Sequence, residues 1–80
     1  MSFERVDVEF HEVRDYGEWN RVQNIIESRK EWAIVYIHRF GKEDEQWEVW
    51  VEGNRYDSCA SLSKAQKSVL QAKKERGYVY

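Results

Sequence analysis

The side chains with which this chain could do covalent or metal chemistry are few: two histidines, His11 and His38, and one cysteine, Cys59. A thiol nucleophile needs a base held beside it, and a Cys59–His38 pair across neighbouring strands would supply one. Neither residue sits in a recognisable nucleophile motif. The same three residues with a carboxylate could be asked to hold a metal, but they show none of the short ligand spacings of metal sites. The chain has 15 carboxylates, but where they alternate along a strand they read as a solvated face rather than an acid–base pair. There is no glycine-rich phosphate loop. These residues predict a protein without catalytic residues, metal or cofactor, and imply no small-molecule substrate.

Binding is the chemistry that remains. In QWEVWVE, residues 46–52, Trp47, Val49 and Val51 alternate with Glu48, Trp50 and Glu52. The first set reads as a core face. The second sets a tryptophan between two carboxylates. If the helices cover the Trp47 face, Trp50 is exposed, and an exposed Trp rimmed by Glu48 and Glu52 fits a basic, partly apolar protein surface. Ile34, Tyr36, His38 and Phe40 of the preceding strand would extend that patch. The other reading packs Trp50 under the N-terminal strand or the first helix, because large aromatics are mostly buried.

A second candidate surface is the basic helix near the C-terminus, which carries Lys64, Lys67, Lys73, Lys74 and Arg76. Such a stripe could bridge phosphates.

The elements that must position these residues follow from periodicity. Residues 3–13 put Val6, Val8 and Phe10 on one face at period two and Arg5, Asp7, Glu9 and His11 on the other, a strand with one wet face. Asp15 and Glu18 form a D-x-x-E capping pattern. Behind it Trp19, Val22, Ile25, Ile26 and Arg29 recur at helical spacing, so a helix of about four turns ends near Lys30. AIVYIHRF, residues 33–40, reads as a central strand, GKEDE as a polar loop, and QWEVWVE as the next strand. Gly53-Asn54 predicts a hairpin turn into a short strand, RYDSCA. Ser61 or Ser63 can cap the last helix, whose stripe is Leu62, Ala65, Val69, Ala72 and Arg76, with Leu70 beside it. Gly77 closes it. The tail YVY would add an edge strand, and an open edge there would support an oligomer-forming protein instead. The order is β-α-β-β-β-α(-β): an α+β fold with an antiparallel meander of three to five strands and two helices, in one domain over residues 1–80.

Over about residues 16–76 this pattern resembles double-stranded-RNA-binding domains: a helix, three antiparallel strands and a basic helix. EVWVEGN reads against that family's second strand and turn, and Ser63-Lys64 falls where the family has the Ser-Lys that opens its RNA-binding helix. The resemblance implies that Lys64 and Lys67 face the phosphates of duplex RNA. The chain departs from the family's pattern where Lys67 replaces a buried alanine, where DSCASL lacks the glycines before the helix, and where GKEDE replaces the loop that enters the minor groove.

Composition narrows the classes. Eighty residues allow one small core, stapled by 12 aromatic side chains, four of them Trp. A lone cysteine fits a reducing compartment. With no long apolar run and no apolar signal segment, a soluble intracellular protein is expected, away from membranes. Net charge is −2, distributed as −3 over residues 1–31, −3 over 32–58 and +4 over 59–80. A compact, acidic, aromatic-rich chain of this kind predicts an accessory or inhibitor protein, phage- or mobile-element-like, that binds a protein partner with a basic surface through Trp50, Glu48, Glu52, Tyr36 and His38. The alternative is duplex-RNA binding through the lysines of the last helix and Arg76.

Overall fold

The computed structural model of the chain describes residues 6–38 and 46–78. Its elements are β1 (Val8–Val13), α1 (Tyr16–Arg29), β2 (Trp32–Ile37), β3 (Trp47–Val51), β4 (Asn54–Cys59) and α2 (Leu62–Glu75). They form an α+β fold with a four-stranded sheet in the order β1-β2-β3-β4. The expected element order β-α-β-β-β-α is observed. Phe40, the loop GKEDE and the last two residues of the YVY tail lie outside the described residues.

Helix ends are set by local chemistry. Asp15 caps α1 by accepting the Glu18 N–H at 2.8 Å, and Glu18 reaches back to the Arg14 N–H at 2.8 Å. Ser61, rather than Ser63, caps α2 through the Lys64 N–H. At the other end the Gly77 N–H bonds Lys74 O and the Tyr78 N–H bonds Lys73 O, the paired closure that a left-handed glycine permits.

β2, β3 and β4 form the antiparallel meander, but β1 pairs with β2 in parallel. Parallel neighbours need a crossover, and α1 supplies it. α1 packs mainly over β1 and β2, whereas α2 packs over β3 and β4. The cores they cover are separate. Trp32, Ile34, Val49, Val51 and Cys59 lie under Ala65, Val69 and Ala72 of α2. Val13, Ala33, Val35, Ile37 and Trp50 lie against Ile26 of α1. The sequence left open whether both helices cover one face; each face carries a helix.

The β3–β4 turn is centred on Glu52 and Gly53, one residue earlier than the Gly53-Asn54 dipeptide suggested. Both have positive φ, 53° and 83°, the requirement of a two-residue hairpin loop that follows strand twist. Gly53 is buried against the end of α1, and its N–H donates to Glu31 O at 3.0 Å. A Cβ there would lie 3.1 Å from Lys30 Cα and 3.3 Å from Glu27 O. Gly53→Ala should therefore cost about 1–3 kcal/mol through backbone strain and crowding. Urea denaturation checks this, and an unchanged midpoint would show that the turn and the end of α1 yield freely.

Candidate functional site

The residues expected to form one acidic aromatic surface are divided by the sheet. Trp50 is 4% exposed and Glu48 3% exposed, both on the α1 face. The Trp50 anchor is corrected accordingly: α1 covers it. Glu48 is not a rim charge either. Its Oε1 accepts the indole N–H groups of Trp19 at 3.1 Å and Trp50 at 3.2 Å, and Arg55 Nε lies 3.9 Å from its Oε2. The tryptophan between two glutamates is thus a buried indole whose polar edge is satisfied by one of them.

Glu52 is at the β3–β4 turn, where it accepts the Arg76 Nε–H at 3.0 Å. The Arg76 guanidinium also lies 5.7 Å from the Trp32 ring centroid and 6.0 Å from that of Tyr56. Stacked and ion-paired, Arg76 ties the end of α2 to the sheet. Tyr36 and His38 lie on the opposite face from Trp50, because Tyr36 pairs with Trp47 and Ala33 with Trp50.

The basic residues of α2 do not form one stripe. Lys64 and Lys73 are nine residues apart, about two and a half turns, and so leave the helix on opposite flanks. Lys67 and Lys74 occupy the outer face, with exposed Leu70 alongside.

Cys59 and His38 are not brought together. His38 Nε2 bonds Glu12 at 2.9 Å, and His11 Nε2 bonds Glu31 at 2.9 Å. Cys59 Sγ contacts Asp57 and Ser68 instead. Burial pushes its thiol above the ordinary range, the opposite of an activated nucleophile. Among the described residues no group of three or more His, Cys, Asp or Glu could hold a metal, and no helix is long and apolar enough to cross a membrane.

The hydrogen bond from the Ser68 hydroxyl, helped by the Ser58 N–H, holds the Asp57 carboxyl below its ordinary value of about 3.9. A carboxyl depressed by folding stabilises above its unfolded pKa, and that contribution is lost as pH falls through the folded value. Stability should therefore drop below about pH 4, and Asp57→Asn should remove part of that drop. Urea midpoints from neutral pH to pH 3 test this. An identical acid profile in both proteins would contradict it.

The sequence reasoning missed a groove on the α2 face. α2 sits over β3 and β4, so the β1–β2 half of that face is only partly covered. An open groove of about 380 Å³ results, lined by Val8, Glu9, Phe10, Ile34, Leu62, Gln66 and Val69. Phe10 is 54% exposed and Leu62 40% exposed. An aromatic row extends it across the sheet, with Phe10 6.2 Å from Trp47, Trp47 4.6 Å from Tyr36 and Tyr36 4.4 Å from His38 between centroids. Tyr36 and His38 thus flank a candidate surface, though not the one first expected. Its signal was Phe10 on the apolar face of β1 and Leu62 at the end of the helix stripe.

No family model, curated protein or solved structure matches this chain. A functional reading must therefore come from the geometry itself.

Proposed function

We propose that this protein is a non-enzymatic binding module, of the accessory or inhibitor kind, that docks a protein partner in the groove between β1 and α2. The observation that carries this reading is Phe10 and Leu62, two large apolar side chains left exposed at the walls of an open apolar groove. Aromatic and aliphatic anchors in such a groove supply most of the energy of a protein interface. The neighbouring acidic side chains Asp7, just before β1, and Glu9, within it, favour a partner with a basic surface and steer its approach. The single buried thiol suits action in a reducing compartment.

Duplex RNA binding through α2 gains no support from a helix whose lysines point in several directions. The two readings differ in where a ligand would be felt. A peptide-display selection on the whole chain, followed by amide shift mapping of the best binder, is the test. Shifts should cluster at Val8, Phe10, Ile34, Leu62 and Val69. Combining Phe10→Ser with Leu62→Ser should abolish binding while leaving the circular dichroism unchanged, since both side chains are half exposed. Salt-sensitive binding of duplex RNA with shifts at Lys64 and Lys67 would overturn the reading.

A further inference from the structure

Among the described residues the groove lies beside an open sheet edge. Of the described strands β1 pairs only with β2, being first in the strand order. The Val13 carbonyl accepts the His38 N–H at 2.8 Å, so the peptide groups of Val13 face β2. In a parallel pair, alternate residues direct their N–H and C=O to opposite sides. The peptide groups of Val8, Phe10 and Glu12 therefore face outward, where no described strand pairs with them. An edge of this kind is a template for another strand.

Its side chains define what that strand must be. By strand alternation Val8 and Phe10 project to the groove face with Ile34, whereas Glu9, which pairs with Ala33, leaves β1 on the other face at the groove's border, with Asp7 just before the strand. Asp7 and Glu9 are exposed and form no ion pair among the described residues. Like charges repel a second β1, so this edge disfavours pairing with a second copy of the chain. They attract a strand with basic residues at alternate positions. The intervening side chains would lie on the groove face beside Val8 and Phe10. Large apolar ones can reach diagonally over β1 towards Leu62.

We infer that the partner docks as an extended segment that pairs its backbone with the free edge of β1, alternating large apolar residues over the groove with basic residues facing Asp7 and Glu9. This inference rests on the groove reading and adds the conformation and pattern of the ligand. Strand addition draws affinity from main-chain hydrogen bonds and specificity from alternate side chains.

The test is a labelled peptide alternating leucine and lysine, titrated into the full chain by fluorescence anisotropy. Two isomers carry N-methyl groups, one on each alternate set of amides. The inference expects one methylated isomer to bind about tenfold or more weakly and the other to bind like the parent. Asp7→Lys with Glu9→Lys should weaken the parent by a similar factor and restore binding to a leucine–glutamate peptide. Equal binding by both isomers, with shifts at Phe10 and Leu62, overturns strand pairing and leaves groove docking intact. No binding by the parent overturns strand addition too, and the library-selected binder then decides the groove reading separately. A dimer in sedimentation that the peptide dissociates would make the occupant a second copy and overturn the inference.

Discussion

Trp50→Ala should bring this protein close to unfolding at room temperature. The indole is 4% exposed in the core with Val13, Ile26, Ala33, Val35 and Ile37. Truncating a buried Trp costs about 3–5 kcal/mol through lost burial and the cavity left behind. A domain of this length holds on the order of 4–12 kcal/mol in total. The loss is thus a large share of what keeps the chain folded. Urea denaturation followed by circular dichroism measures it, and Trp50→Phe should cost much less because it refills most of the volume. A Trp50→Ala variant within about 1 kcal/mol of wild type would mean that α1 does not cover that face. Loss of partner binding in Trp50→Ala is expected as well, but as a consequence of unfolding rather than of a missing contact.

Glu48→Ala should destabilise by about 1–3 kcal/mol, because it removes the acceptor of the buried Trp50 N–H and takes a hydrogen bond from the part-buried Trp19. Trp19 and Trp50 both donate to one carboxylate oxygen, at 3.1 and 3.2 Å. Glu48→Gln keeps an acceptor oxygen and should cost about half as much or less. A buried carboxylate also carries a desolvation cost, which an apolar replacement removes. The rank order of the two variants decides which effect wins. Alanine worse than glutamine shows that satisfying the indoles dominates, and the reverse order shows that burying the charge does. A cycle with Trp19→Phe isolates the coupling, which should exceed about 0.5 kcal/mol for groups in direct contact.

The element order was legible because each element carries its own period and caps. Asp15 and Glu18 start α1, Gly77 closes α2, and β-branched runs mark the strands. Which helix covers which face was not legible. Both faces of β2 and β3 carry apolar side chains, with Trp47, Val49 and Val51 on one side and Trp50 on the other. Alternation separates the two sets without naming their partners. The parallel pairing of β1 with β2 decided it, and that is a long-range fact. Glu48 looked wet because it alternates with the apolar Trp47 and Val49, as a solvent-facing strand residue does. Its burial depends on an indole from Trp19, 29 residues away. The turn was misplaced by one residue because Glu52 adopts a left-handed conformation that its side chain does not favour. The groove went unread for a related reason. Phe10 and Leu62 carry core-like patterns, and only the offset of α2 towards β3 and β4 leaves them exposed.

Gln66 and Lys67 are neighbours in the chain that leave α2 in different directions. Gln66 lines the groove and Lys67 faces outward. The most direct measurement places a photo-cross-linking side chain at each position in turn. The cross-linked products are then compared with the selected peptide present and with duplex RNA present. Groove docking predicts that the peptide is captured from position 66, with little from position 67 and no RNA from either. Capture of RNA from position 67, with the peptide captured from neither, would contradict it.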